Sequence, residues 1–123
     1  MADPKQDTAL KTFAIPKDKA GVYIYRNESM GAAIKMNVEL DGQVIGQTAA
    51  NRYLYKEVAP GKHTFVSKAE NDSSIEIDAA PGTLLYLWQE VKMGILGARS
   101  KLQLVEPAQG QKVVQETKLA ETK

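Results

Sequence analysis

Residues 34–41 constrain this chain more than any other stretch. Ile34, Met36, Val38 and Leu40 alternate without a break with Lys35, Asn37, Glu39 and Asp41. An extended strand puts the four apolar side chains on one face and the polar four on the other; a helix would scatter both sets. Asp41-Gly42 follows at once, and then Val44 and Ile45. An Asp-Gly pair between two extended runs predicts a tight hairpin, because both central residues of such a turn take positive φ. A ribbon with one apolar face must bury that face against a second layer.

The same two-residue period recurs along the chain. Val22 and Ile24 alternate with Tyr23 and Tyr25, Tyr53 and Tyr55 flank Leu54, and Ile75 and Ile77 alternate with Glu76 and Asp78. Further strands are predicted at His63–Val66, within Thr83–Met93 and around Leu102 and Leu104, with Pro60-Gly61 and Pro81-Gly82 as turns. Seven to eight short strands with turn signals between them predict an all-β fold, a single antiparallel β-sandwich over residues 13–106. Parallel pairing ordinarily needs helical crossovers, and residues 21–105 leave no room for them, so every pairing is expected to be antiparallel. Residues 1–12 carry no periodic pattern and are expected to form a flexible spacer. The tail, 107–123, is the one helical candidate, with Val113 and Ala120 on a common face and Val114 and Leu119 close by.

Composition removes several function classes. Lys and Arg total 16 against 15 Asp and Glu, a net charge of +1, so a nucleic-acid binder working through a strongly basic face is not expected. The chain has no cysteine and one histidine, His63, which excludes disulfides, thiolate metal sites and thiol nucleophiles within it and predicts no metal centre. The longest apolar run, Leu84–Trp88, is far short of a membrane-spanning helix. Residues 1–7 are polar and lack the apolar segment of a signal peptide.

Among residues that could carry chemistry, His63 fits a corner histidine with one ring nitrogen bonded to a backbone carbonyl better than a general base. Glu39/Asp41 and Glu76/Asp78 sit two apart on strands, a separation a carboxylate-pair hydrolase could use, but they occupy the polar positions of alternating strands and should face water. Met93–Arg99 has two glycines without the spacing of a phosphate loop. Its interest lies in Ile95 and Leu96, apolar residues where a loop is normally polar; they either close the end of the sandwich or form an exposed tip for a partner. Tyr23/Tyr25, Tyr53/Tyr55 and Tyr86/Trp88 are same-face pairs, which fit core packing better than a stacking platform for ligands.

The segments Lys19–Arg26, Val38–Gly46, Tyr53–His63 and Gly82–Leu87 together resemble a bacterial family of unknown function composed mostly of predicted lipoproteins. The Leu40-Asp41-Gly42, Ile45-Gly46 and Pro60-Gly61-Lys62-His63 skeleton is also similar to PEGA-type surface modules. The resemblance spans residues 15–106. It implies an extracytoplasmic β-sandwich, periplasmic or tethered to the outer membrane by an N-terminal lipid, although this chain lacks the lipid-bearing cysteine. It brings no catalytic residues and no cofactor. Asn27-Glu28-Ser29 and Asn71-Asp72-Ser73 match the glycosylation triplet, which carries little weight in a bacterial protein.

The function expected on these grounds is a non-enzymatic binding or structural module of the cell envelope. It would meet a protein partner, or a second copy of itself, through the apolar loop or an edge strand. A cell-wall glycan held on an aromatic face is the alternative, and an envelope hydrolase using Glu76, Asp78 or His63 is a weaker one. The candidate binding residues are Trp88, Met93, Ile95, Leu96, Arg99, Tyr53 and Tyr55.

Overall fold

A computed structural model describes residues 4–27, 35–69, 72–93 and 98–120. Within them a helix α1 (Pro4–Leu10) precedes eight strands: β1 (Ala20–Tyr25), β2 (Met36–Leu40), β3 (Gln43–Thr48), β4 (Arg52–Val58), β5 (Gly61–Lys68), β6 (Asp72–Ala79), β7 (Leu84–Met93) and β8 (Ala98–Val105). A second helix, α2 (Pro107–Glu116), and a two-residue strand, β9 (Lys118–Leu119), follow. The strands form a five-stranded sheet in the order β8-β7-β1-β4-β9 and a four-stranded sheet in the order β3-β2-β5-β6. The protein is an all-β sandwich. Ile34 lies outside the described residues; Met36 and Val38 are buried as the alternation requires, and Leu40 packs half-buried against the same core.

The turns form where their residues dictate. Asp41 and Gly42 take φ of 50° and 90° in the β2–β3 hairpin, and the Asp41 carboxylate accepts the Thr64 backbone N–H at 2.9 Å. Between the sheets, Val22 and Ile24 of β1 meet Val38, Leu54, Phe65, Ile77, Leu87 and Leu102 in one apolar cluster. Each such fully buried side chain contributes about 1.5–3 kcal/mol. A polar chain crosses the same interior. The Thr48 hydroxyl donates to Gln89 Oε1 at 2.5 Å, Gln89 Nε2 donates to Ser67 Oγ at 2.6 Å, and the Ser67 and Ser100 hydroxyls share a bond of 2.6 Å. It joins β3 and β5 of one sheet to β7 and β8 of the other. The fully buried Arg26 extends it, donating to the Thr48 carbonyl at 3.2 Å.

Two expectations need correction. β1 pairs in parallel with β7, and β4 in parallel with β9. No helical crossover is needed, because the chain between β1 and β7 is itself made of strands: it crosses to the other sheet for β2 and β3, returns for β4, and crosses again for β5 and β6. The strands predicted at His63–Val66 and around Ile75 and Ile77 also run further than expected, β5 to Lys68 and β6 from Asp72, with Ser67 buried in the polar chain just described.

The start of the chain also differs from the flexible spacer expected there. α1 is docked on the outer face of the five-stranded sheet, where the outward residues of β1, β4 and β7 are aromatic. Tyr23, Tyr25, Tyr53 and Tyr86 are all at most 1% exposed. The Tyr23 hydroxyl donates to the Leu10 carbonyl at 2.7 Å and the Tyr53 hydroxyl to the Asp7 carboxylate at 2.6 Å, fastening the middle and the C-terminal end of the helix. Phe13 packs on Tyr23 and Tyr86, with ring centroids 5.5 and 6.2 Å away. From the other end of the chain, Val113, Val114 and Leu119 join the same cluster. Lys11 Nζ, donating to the Thr117 carbonyl at 2.5 Å, ties the two terminal segments together. Every residue of β1 is therefore buried, with the four-stranded sheet on one side and the chain ends on the other.

Gly110 is the contact point of α2. A Cβ there would stand 2.3 Å from Tyr86 Cγ and 2.4 Å from its Cβ. Gly110→Ala should gain about 1 kcal/mol of helix propensity, whereas overpacking against a locked ring costs about 1–3 kcal/mol. The expected outcome is a lower urea midpoint for the variant; a raised one would mean that α2 does not seat on Tyr86.

Candidate functional site

The sequence-derived candidates do not converge. Tyr53 is fully buried and bonded to Asp7, so it belongs to the outer aromatic core and cannot stack on a ligand. Tyr55 is half-buried over Tyr23, with centroids 4.7 Å apart, and its hydroxyl donates to Glu57 at 3.2 Å. Partial burial, followed by the Glu57 carboxylate, pushes its hydroxyl pKa up to about 12. Arg99 is exposed on β8, in register with Lys92. Ile95 and Leu96 lie outside the described residues, as does the Met93 side chain. Trp88 is half-buried, and its indole N–H donates to Asn27 Oδ1 at 3.2 Å.

The polar candidates are also separate from one another. Glu76 and Asp78 are exposed on β6, an outer strand of its sheet. His63 bridges the Asp41 carboxylate through Nδ1 and the Ala59 carbonyl through Nε2, both at 2.6 Å. It is the corner histidine bonded to a backbone carbonyl that the sequence suggested, with a carboxylate partner added. No group of three or more potential metal ligands occurs among the described residues.

The pair at His63 has a pH signature. The Asp41 hydrogen bond, supported by the Ala59 carbonyl, raises the His63 pKa, and the same bond together with the Thr64 N–H lowers that of Asp41. A raised histidine contributes its stability fully below its unfolded value of about 6.5 and loses it as pH rises through the folded value; a lowered carboxylate contributes above about 3.9 and fails as pH falls. The stability lost in His63→Ala should therefore be greatest near pH 5 and shrink toward pH 8 and pH 2 in parallel thermal melts. A loss independent of pH would show that the ring acts by packing alone.

A concavity that the sequence did not reveal lies at the start of β4. A pocket of about 430 Å³ is lined by Asn27, Asn51, Arg52, Val113, Glu116, Thr117 and Lys118. Its volume lies in the range of small-molecule sites. Asn27 follows β1 by two residues and Arg52 opens β4. Lys118 stands directly beside Arg52, because β9 pairs with β4 in parallel at Arg52↔Lys118 and Tyr53↔Leu119. Glu116 closes α2, and Thr117, buried and bonded through its hydroxyl to the Val114 carbonyl at 3.0 Å, turns the chain from helix to strand. The rim is thus assembled by residues far apart in sequence, and Trp88 joins it through Asn27. A strand-start arginine and a tail lysine carry no motif. Asn27 stood out only as part of a glycosylation triplet.

Residues 16–100 match the family described as "Protein of unknown function (DUF2846)". The chain belongs to that family. An uncharacterized protein of Haemophilus influenzae is 28% identical over 122 residues, which cover 98% of this chain and 73% of the relative. No solved structure matches. The family span ends before α2 and β9, so one wall of the pocket is built by residues beyond it.

Proposed function

We propose that this DUF2846 protein is a non-enzymatic binding module of the bacterial cell envelope, periplasmic or lipid-tethered, and that the Asn27–Lys118 pocket is its working site. The observation that carries the reading is a concavity of ligand size with a rim of amide, cationic and carboxylate side chains beside a half-exposed tryptophan. Pockets of this kind bind by placing a few polar groups around a small ligand. The resemblance to predicted lipoproteins and PEGA-type surface modules supplies the envelope location, and a wall-derived glycan or peptide fragment is the ligand such a location offers. The broad tyrosine face is an unsuitable glycan platform because the chain ends cover it.

The chain has one tryptophan, and its indole N–H bonds a pocket-rim side chain, so Trp88 reports directly on occupancy. Titration with soluble cell-wall fragments should shift the indole N–H resonance and change the emission, and Asn27→Ala should weaken the response. Cells expressing the natural gene should yield the protein in the envelope fraction. An unmoved indole signal, or recovery in the cytosolic fraction, overturns the reading.

A second reading, capture of a protein partner by strand addition, is favoured by Leu104, which is 54% exposed on the outer strand β8. An outer strand offers its unpaired backbone groups to another chain; in β8 the Leu102 N–H is already taken, donating to Ser73 Oγ at 3.0 Å. Leu104→Ser should leave the melting temperature nearly unchanged, as exposed sites usually do, while weakening crosslinking to an envelope protein. A large fall in melting temperature would make Leu104 a core residue.

A further inference from the structure

The pocket is lined by charges of both signs. Arg52 and Lys118 are neighbours in parallel register. Among the described residues neither has a carboxylate within ion-pair distance, although Glu116 lines the same cavity; the one hydrogen bond found for the Arg52 guanidinium is to the adjacent Asn51 carbonyl at 3.3 Å. The negative part of the lining is Glu116, in the C-terminal turn of α2, a ten-residue helix with no basic residue in that turn. Such a helix end carries partial negative charge, answered in part here by the Lys11 ammonium on the Thr117 carbonyl. Two cations and a carboxylate that line one pocket without an ion pair among them suit a guest carrying both signs.

We infer that the pocket binds a zwitterionic α-amino-acid group, free or at the end of a short peptide. The carboxylate lies against Arg52 and Lys118, and the ammonium against Glu116 and the end of α2. Arg52 supplies a planar fork suited to a carboxylate, and Lys118 a point charge beside it. Asn27, held by the Trp88 indole, orients the group through its free amide hydrogens. A guest with only one charge would leave either the cations or the carboxylate unsatisfied. The assignment rests on the pocket being the working site and adds to it the class of ligand.

The test is a titration of the ¹⁵N-labelled full chain with D-alanine, L-alanine, acetate and ethylammonium, followed at the Trp88 indole and at the amides of residues 51, 52 and 116–118. Either alanine should bind at least about tenfold more tightly than acetate or ethylammonium, the usual effect of one extra charge-assisted hydrogen bond. Glu116→Gln and Arg52→Met should each weaken alanine by about tenfold. Glu116→Gln should leave acetate unaffected and Arg52→Met should leave ethylammonium unaffected, with unchanged thermal melts confirming that both variants fold. Equal affinity for alanine and acetate, or insensitivity to Glu116→Gln, would make this a simple anion site and overturn the inference. No response to either alanine at millimolar concentration overturns it too. If wall fragments still move the indole in that case, only the ligand class fails; if they do not, the functional reading fails with it.

Discussion

The structure depends on the parallel pairing of β1 with β7 at the centre of the larger sheet. In that register Val22 and Ile24 lie beside Leu85 and Leu87 while Tyr23 and Tyr25 lie beside Tyr86 and Trp88. One face of the pair supplies the apolar interior between the sheets. The other is an aromatic layer, with Tyr23 and Tyr86 stacked at 5.2 Å and 12°. Those rings bury large areas; the Tyr25 hydroxyl has no partner among the described residues, whereas three others find partners. Leu10, Asp7 and Gln111 provide them for Tyr23, Tyr53 and Tyr86. The outer face therefore calls for the terminal segments, and the terminal segments in turn build one wall of the pocket.

The sheet-forming part of this arrangement was legible in the sequence because strand alternation is local. Met36, Val38 and Leu40 identify a face without reference to any other segment, and Asp41-Gly42 specifies its turn from two residues. Three features could not be reached in that way. Parallel pairing of β1 with β7 depends on the path of the intervening chain, which no local period records. The helix over Pro4–Leu10 has too little amphipathic pattern of its own and is stabilised by tertiary contacts, as short helices generally are. The Thr48–Gln89–Ser67–Ser100 chain is invisible as a pattern, because each member occupies a position where a polar residue would ordinarily be assigned to the surface.

The candidate site was less legible still. Trp88 was identified from its aromatic character and does stand beside the pocket. Tyr53, chosen by the same argument, is enclosed, because a two-residue period distinguishes the faces of a strand but not which face another element covers. Arg52 and Lys118, separated by 66 positions in the chain, become neighbours only through the β4–β9 pairing. Their value lies in that adjacency, and neither residue type is informative alone.

Closure of the outer aromatic layer by both chain ends has a mechanical consequence. Tension between the two ends would act first on the Lys11–Thr117 bond, the helix held by Tyr23 and Tyr53, and the short β9 ladder, before any load reached β1 and β7. The ends would peel away while the nine-stranded body lost only its smallest strand. The pocket would open at that same step, so a pulling force on such a molecule would release whatever it held well before the sandwich itself gave way.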